Sequence, residues 1–362
     1  MVHFTVQDGE GGMAVQHTMA IIGFGGMGSH HFHKLLKEQE IVATGVWDIK
    51  EERRRYAESL GLHAYTSLED LLADDSIEIV LIATPNDVHH PIALQALAAG
   101  KHVICEKPVT LNAALLQQMQ EAADKAGKLL TVHQNRRWDR GYVIMKQILG
   151  EGILGDLYRI ESRVHGAHGI PGDWRQDPKQ GGGMVYDWGV HLLDQAVMLF
   201  PDAKITSVYA TLSHVTNEET DDGFFIDLTY DNGIHYTVEV GTSHFITLPR
   251  WMVLGRDGTL MLDKWGLEGK IVCAHGEDDK DVVPVVTAAG LTKTMAPRRE
   301  DTIKTLDIPD IWPDLGEYYR NITAVLEGRE SPLVTPAQML RVMRLIDKVF
   351  EAAQCGQVLP FE

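Results

Sequence analysis

The chain has 362 residues, enough for two domains, and its 44% hydrophobic and 23% charged residues are ordinary for a globular protein. The formal net charge of −18 argues against nonspecific binding to nucleic acid or to anionic membranes, which requires a basic surface. The sequence contains no apolar run of about 18 residues, so no membrane span is expected.

The beginning of the chain is polar and rich in glycine. Residues 1–17 lack the basic and apolar regions of a signal peptide, so we interpret them as an extension before the first strand. The sequence has no CxxC motif, and its three cysteines are widely spaced: Cys105, Cys273 and Cys355. This pattern is typical of reduced thiols, and we expect a cytoplasmic protein.

A glycine-rich turn follows the first predicted strand, Met19–Ile22. Its residues are Gly23, Phe24, Gly25, Gly26, Met27 and Gly28. They match G-x-G-x-x-G and lead into an amphipathic helix, the strand–turn–helix setting in which this otherwise weak motif indicates dinucleotide binding. The glycines permit a tight turn and close approach of a pyrophosphate, which the N–H groups of the helix bind.

An acidic residue ends the second predicted strand, Ile41–Trp47. Asp48 lies about 20 residues beyond Gly28, where a carboxylate binds the adenosine ribose and repels a 2′-phosphate. We therefore expect NAD rather than NADP; the alternative role of Asp48 is a cap at the strand end. Positive charge from Arg53–Arg55 would weaken this preference, but we interpret these arginines as a solvated helix face.

Strands and helices then alternate as far as residue 133. The predicted strands are Ile77–Ala83, His102–Cys105 and Leu129–His133, and the helices are Val88–Ala99 and Asn112–Ala126. This rhythm predicts a doubly wound parallel sheet, which binds ligands at the carboxyl ends of its strands. The residues expected there, besides the glycine turn and Asp48, are Thr84, Pro85, Asn86, Glu106, Lys107, Asn135 and Arg136.

Short turns separate the predicted strands of the second half. These strands are Leu157–Val164, Ile205–Leu212, Phe224–Tyr230, Ile234–Val240, Trp251–Leu254 and Thr259–Leu262. Asp231-Asn232-Gly233 and Asp257-Gly258 are hairpin signals, so we expect mostly antiparallel pairing. A core helix is predicted near Pro336–Ala353. One face of an open sheet needs to be covered, and association with a second copy of the chain would cover it, so we expect a homo-oligomer.

Four segments in this order resemble the Gfo/Idh/MocA oxidoreductase family: GFGGMG, ATPNDVHH, CEKPVT and GGGMVYDWGVHLLD. The resemblance extends over about residues 18 to 350. It implies an N-terminal Rossmann domain, residues 18–138, and a C-terminal α/β domain with a large open, mostly antiparallel sheet, residues 139–362. It also implies NAD(P)-dependent oxidation of a sugar, polyol or related alcohol by proteins that are often dimers or tetramers.

Asp187 and His191 are four residues apart after the glycines of GGGMVYDWGVHLLD. His191 is our candidate for the base that takes a proton from an alcohol, because a histidine titrates near neutral pH. Asp187, one helical turn earlier, would orient the imidazole. Lys107 would hydrogen-bond the substrate oxygen, and a cis bond to Pro108 would aim it. The resemblance implies the same three catalytic residues; the alternative is a structural His191.

Other polar residues receive secondary roles. We expect Glu106 and His89 to face the cofactor and Asp194 to be structural. The residues expected to line the substrate pocket are Arg136, His168, Trp174, Arg175, His191 and, more weakly, Tyr236. No HExxH or Cys/His constellation occurs, so no metal is expected.

The sequence therefore favours a dehydrogenase acting on a secondary hydroxyl of a sugar, an inositol or other polyol, or a glycoside, in either direction. One alternative keeps NAD bound and recycles it within one active site while acting on a glycoside. Another is a nucleotide-sensing regulator without catalysis on the same scaffold. A metal-assisted lyase or hydrolase lacks its ligands.

Overall fold

The computed structural model describes residues 16–263, 265, 268–276 and 284–362. Most of the predicted extension, residues 1–15, lies outside the described residues, and the first strand already begins at His17. Within the described ranges, no helix combines the length and the apolar character that crossing a membrane requires.

Six parallel strands form the first sheet, in the order β3-β2-β1-β4-β5-β6. They are β1 His17–Ile22, β2 Ile41–Trp47, β3 His63–Ala64, β4 Ile79–Ile82, β5 His102–Cys105 and β6 Leu130–Val132. All four residues of β4 are buried, as expected for a central strand whose two faces are both covered. The predicted doubly wound parallel sheet is confirmed.

Helices connect these strands. They are α1 Gly26–Leu35, α2 Glu51–Ser59, α3 Leu68–Ala73, α4 His89–Ala98 and α5 Ala113–Ala126. Helix α5 starts where it was predicted to start because Asn112 is its N-cap. The Asn112 side chain accepts a hydrogen bond from the N–H of Leu115 at 2.9 Å. Strand β3 has two residues and helix α3 has six, which is too short for periodicity to predict them.

The second sheet has nine strands in the order β16-β13-β12-β11-β7-β10-β9-β8-β17. Its strands are β7 Leu157–His165, β8 Ile205–Ser213, β9 Gly223–Tyr230, β10 His235–Gly241, β11 Trp251–Gly255, β12 Gly258–Asp263, β13 Glu268–Ala274, β16 Ile303–Leu306 and β17 Leu359–Pro360. Both predicted hairpins are confirmed, since β9 pairs with β10 and β11 with β12 in antiparallel fashion. The exception to antiparallel pairing is β7 with β10.

The remaining elements are α6 Arg140–Gly150, α7 Val190–Leu199, α8 Gly316–Leu326, α9 Pro336–Cys355 and a small hairpin, β14 Val285–Thr287 with β15 Gly290–Thr292. Helix α9, the predicted core helix, packs against β8 and α7 and also against α5 of the first half. It begins with a capping box formed by Thr335 and Gln338. This packing joins the two halves and brings the start of α7 to the carboxyl end of β5.

Candidate functional site

The glycine turn has the geometry that its motif predicts. Gly28 approaches the turn so closely that a Cβ there would lie 2.0 Å from the carbonyl oxygen of Gly23, which only glycine permits. Helix α1 begins at Gly26 with no side-chain cap and no acidic residue in its first turn. Its first N–H groups are therefore available to an anion, and a Cβ at Gly26 would meet no atom within 4 Å. These features fit the pyrophosphate of a dinucleotide.

Asp48 lies beside this turn at the end of β2. Its two carboxylate oxygens accept hydrogen bonds from the N–H groups of Phe24 and Lys50, both at 2.8 Å. The prediction that Arg53–Arg55 form a solvated face is wrong for two of them. Arg53 donates to the carbonyl of Phe24 at 3.2 Å and Arg54 to the carbonyl of Asp48 at 2.5 Å. Arg53 turns back onto the glycine loop and Arg54 onto the end of β2, so two guanidinium groups accompany the acidic residue.

The segment after β4 is tied to the second half of the chain. The amide of Asn86 donates to the carbonyl of Gly181 at 2.9 Å. Contrary to the prediction, His89 does not face the cofactor crevice. Its ring is buried, and its nitrogens lie 2.9 Å from the carbonyl oxygens of Pro108 and Thr84. It thus joins the turns after β4 and β5, while the buried hydroxyl of Thr84 has no hydrogen-bond partner within the described ranges.

Glu106 is the centre of a buried hydrogen-bond network. One of its oxygens, Oε1, lies 2.7 Å from Nε2 of His31 and 2.7 Å from Nδ1 of His133, and the other accepts from the N–H of Lys107 at 3.1 Å. Burial alone would raise the pKa of Glu106, but His133 and His31 outweigh it and lower this pKa well below its ordinary value. His31 also meets the hydroxyl of Tyr319 on α8 at 2.8 Å.

The ligand-type atoms of His31, Glu106 and His133 lie within 4.8 Å of one another, close enough to suggest a metal site. Hydrogen bonds from the two imidazoles to one carboxylate oxygen account for these short contacts. The network therefore fixes Glu106 as an anion directly before Lys107.

Lys107 meets Asp187 although the two are 80 positions apart. Its ammonium lies 3.1 Å from Oδ1 of Asp187 and 3.0 Å from the carbonyl oxygen of the same residue. The other carboxylate oxygen lies 3.2 Å from Nε of Arg175. Burial opposes ionisation of Asp187, but Lys107 and Arg175 outweigh it and lower its pKa. The Lys107–Pro108 bond is cis, as predicted.

His191 lies at the start of α7, after a π-helical turn over Val185–Gly189. Among the hydrogen bonds of the described residues, none joins Asp187 to His191, so the expected orientation of the imidazole by Asp187 is not present. The wider π-helical turn does not keep residues four apart in the register of an α-helix. Burial, together with the charges of Lys107 and Arg136, lowers the pKa of His191 well below its usual 6.5. The imidazole is therefore neutral at pH 7, and its Nδ1 is buried with no hydrogen-bond partner among the described residues.

The residues predicted to contact substrate separate into two groups. Arg136 lies 4.1 Å above the Trp188 ring, and Trp188 is 6.1 Å from the ring of His191. Arg175 contacts Asp187 and stacks at 4.6 Å on Trp174, so these residues reach the same cluster.

His168 and Tyr236 do not join this cluster. His168 lines a separate cavity of about 630 Å³ with Thr216 and Phe245. Tyr236 is fully buried in β10, which makes it a core residue rather than a pocket residue.

Three residues that sequence reasoning missed complete the site. The carboxylate of Asp221 accepts a hydrogen bond from the N–H of Val185 at 2.8 Å and so fixes the start of the π-helical turn. This approach requires Gly183, whose φ is +101° and whose Cβ would lie 2.1 Å from the Asp221 carboxylate. Burial raises the pKa of Asp221 to about 6. Trp188 and Arg250 form the wall beside Arg136. Trp188 lies within the GGGMVYDWGVHLLD segment but had no assigned role, and no motif identifies Asp221 or Arg250, because their roles depend on long-range packing.

Asp194 is structural, as predicted. Its carboxylate accepts two hydrogen bonds from Arg137, at 2.7 and 2.8 Å, and both side chains are almost completely buried. The pair ties α7 to the turn that follows β6, so the position of His191 depends on it.

Comparison with known proteins agrees with the fold. Residues 17–134 match the model of an oxidoreductase family with an NAD-binding Rossmann fold, and residues 142–261 match the GFO/IDH/MocA C-terminal domain. The chain is 30% identical to scyllo-inositol 2-dehydrogenase (NADP(+)) IolW of Bacillus subtilis, over 95% of this chain and 96% of that one.

Two further relatives extend this comparison. The chain is 31% identical to inositol 2-dehydrogenase of Salmonella typhimurium, over 61% of this chain and 66% of that one. The solved structure of an NAD-binding protein from Listeria innocua superposes with a TM-score of 0.92 and 43% identity, covering 96% of this chain and 99% of that chain. The chain therefore belongs to the Gfo/Idh/MocA oxidoreductase family.

Proposed function

We propose that this protein is an NAD(P)-dependent dehydrogenase that oxidises a secondary hydroxyl of a sugar, an inositol or other polyol, or a glycoside, or reduces the matching ketone. The observation that carries the proposal is the contact of Lys107 with Asp187 at the carboxyl end of β5, near enough to the neutral His191 for the charge of Lys107 to lower the pKa of the imidazole. The inositol dehydrogenases among its relatives support the substrate class.

Each residue of the cluster has a distinct task in this reaction. The glycine turn, Asp48 and the segment Thr84–Asn86 would hold the dinucleotide, which supplies the hydride acceptor when bound. Lys107 donates a hydrogen bond to the substrate oxygen and stabilises its developing negative charge. His191, neutral at pH 7, accepts the hydroxyl proton. Asp187 acts through Lys107, whose ammonium it positions, and Arg175 holds the carboxylate.

The proposal is tested by following nicotinamide absorbance with NAD and NADP across inositols, aldoses, sugar acids and glycosides. We expect NAD or NADP to be reduced in the presence of at least one of these substrates. A single-turnover measurement at enzyme concentrations equal to the cofactor detects the alternative in which NAD stays bound and is recycled. Dinucleotide binding without absorbance change on any substrate would support the nucleotide-sensing regulator instead.

We further propose that NAD is preferred over NADP, because Asp48 lies where a 2′-phosphate would meet its negative charge. The relative IolW is named as an NADP(+) enzyme, and Arg53 and Arg54 supply positive charge beside Asp48. The preference therefore depends on one carboxylate.

Replacing Asp48 by serine is expected to raise kcat/KM with NADP relative to NAD by about tenfold or more, since like-charge repulsion is removed and the arginines stay. Initial rates with both cofactors measure this ratio. Asp75→Ser, an exposed position in the same half of the chain, is the control and should leave it unchanged. A wild-type protein that already favours NADP would contradict the assignment.

Self-association and a cytoplasmic location complete the proposal. Phe245 and Ile246, in the loop after β10, are 90% and 83% exposed, and Phe225 of β9 is partly exposed. Such apolar side chains beside an open sheet favour a homo-oligomer, which light scattering measures directly. All three cysteines are free thiols, in keeping with the cytoplasm.

A further inference from the structure

Two arginines beside the proposed proton acceptor share a single carboxylate. NH1 of Arg136 lies 3.2 Å and NH2 of Arg250 lies 2.7 Å from the same oxygen, Oδ2 of Asp139. Among the carboxylates of the described residues, no other is within ion-pair distance of either guanidinium. The side chain of Arg250 is only 6% exposed and that of Arg136 26%. One positive charge in a mostly buried cluster is therefore left without a partner.

An uncompensated buried charge is costly, and the structure shows this cost. Burial lowers the pKa of Arg250 to about 10; Asp139 opposes this shift and Arg136 adds to it. The Nε–H donor of Arg136 is also buried, and no atom in the described part of the chain accepts a hydrogen bond from it. The unpaired Nε–H of Arg136 and the positive charge that Asp139 does not balance both indicate that this cluster binds an anion.

Two tryptophans hold the guanidinium planes. Arg136 lies 4.1 Å from the Trp188 ring and 5.1 Å from that of Trp265, and Arg250 lies 3.9 Å from Trp265. Stacking on an aromatic face fixes the orientation of a guanidinium and leaves its edge free to donate to two oxygens of one acceptor. Trp265 is 53% exposed, so this wall borders solvent.

The position of the pair connects it with the substrate. The Trp188 ring, which carries Arg136, lies 6.1 Å from the His191 ring, and Trp188 follows Asp187 in the chain. The charge of Arg136 is near enough to contribute to the low pKa of His191. An anion bound at the pair would therefore belong to the molecule whose hydroxyl faces Lys107 and His191.

We infer that the substrate carries a carboxylate and that Arg136 and Arg250 bind it, which makes a sugar acid the substrate class. The charge balance selects a carboxylate, since it supplies the one missing negative charge, whereas a phosphate monoester brings up to two. Its two oxygens match the edge of a guanidinium. This inference rests on the proposed dehydrogenase function and adds the feature that the pocket recognises.

The test compares kcat/KM for matched acid and neutral sugars: glucuronate with glucose, galacturonate with galactose, and gluconate with sorbitol. The wild-type protein should favour the acid of at least one pair by about 30-fold, the value of a charge-assisted bidentate contact. In Arg136→Gln and Arg250→Gln that ratio should fall close to one. Arg136→Gln is the more informative, because its side chain is the more exposed and its loss endangers folding less.

Arg140 provides a matched control. It stacks on Trp312 at 3.8 Å and pairs with Asp310, so it is also an arginine on a tryptophan beside an aspartate, but outside the cluster. Arg140→Gln should keep the wild-type ratio. Binding gives a second readout: the sugar acid should raise the melting temperature of the Lys107→Met variant, and Arg136→Gln should abolish that rise.

The outcomes separate the two proposals. Neutral polyols or sugars oxidised without preference for their acids would overturn the inference and leave the dehydrogenase function intact. Failure to turn over any compound of the wider screen, in either direction, would overturn the proposed function, and the inference with it. An acid preference that survives both arginine substitutions would also overturn the assignment to this pair.

Discussion

Replacing Lys107 by methionine is expected to lower kcat/KM for alcohol oxidation by about 1000-fold, within the range that a positioned hydrogen-bond donor or proton-transfer group contributes. Methionine keeps the length of the side chain and removes the ammonium. The substrate oxygen then loses its donor as negative charge develops on it, and the Asp187 carboxylate loses its 3.1 Å partner. Steady-state kinetics with the best substrate from the screen measure the loss.

Two controls distinguish catalysis from folding or cofactor binding. Lys125→Met removes an exposed lysine from α5 and should leave the rate unchanged. The affinity of Lys107→Met for the dinucleotide, measured by fluorescence titration, should stay within a few-fold of the wild-type value, because the glycine turn and Asp48 are untouched. A variant that keeps more than a tenth of the wild-type kcat/KM would remove Lys107 from its proposed role.

Asp187→Asn tests how Asp187 acts. Because its carboxylate contacts Lys107 and Arg175 rather than His191, the asparagine variant should disturb the substrate-oxygen donor and not the imidazole. The sequence suggested the opposite, since a spacing of four residues places two side chains on one face of an α-helix. The π-helical turn that changes this register depends on Asp221, which lies 34 residues later and carries no recognisable signal.

The sequence nevertheless predicted the part of the site that follows from strand order. Parallel strands end at one edge of a sheet, so the glycine turn, Asp48 and Lys107 had to share a crevice once the alternation of strands and helices was recognised. The environment of Glu106 was beyond such reasoning. Its network joins His31 on α1 and His133 after β6 and extends to Tyr319 on α8, 288 positions from His31. Only tertiary packing brings these residues together.

The same limit applies to Arg53, Arg54 and His89. A run of three arginines on a helix normally faces solvent, and a histidine after a strand normally faces the ligand edge. In the structure, nearby carbonyl oxygens accept hydrogen bonds from both arginines and lie within hydrogen-bond distance of His89. Backbone acceptors of this kind leave no pattern in the side-chain sequence.

Replacing Arg137 by methionine is expected to lower the free energy of unfolding by about 3–5 kcal/mol, the cost of leaving a buried charge unpaired. The guanidinium of Arg137 donates from Nε and NH2 to the two oxygens of Asp194, and NH1 donates to the carbonyl of Leu333 at 2.7 Å. Urea denaturation at pH 7 measures the loss. Arg55→Met breaks an exposed pair with Glu51 and should cost less than about 1 kcal/mol.

The dependence of this deficit on pH shows whether the unpaired carboxylate causes it. In Arg137→Met the buried Asp194 carboxylate has no cation, so its charge is costly in the folded state and not in the unfolded chain. The folded variant then binds more protons than its unfolded state, and its stability relative to wild type increases as the pH falls from 7 towards 5. The double variant Arg137→Met/Asp194→Leu, which removes both charges, should regain most of the lost stability at pH 7. A deficit that is independent of pH and persists in the double variant would mean that Arg137 stabilises the protein through its contact with Leu333 and its packing, not through the ion pair.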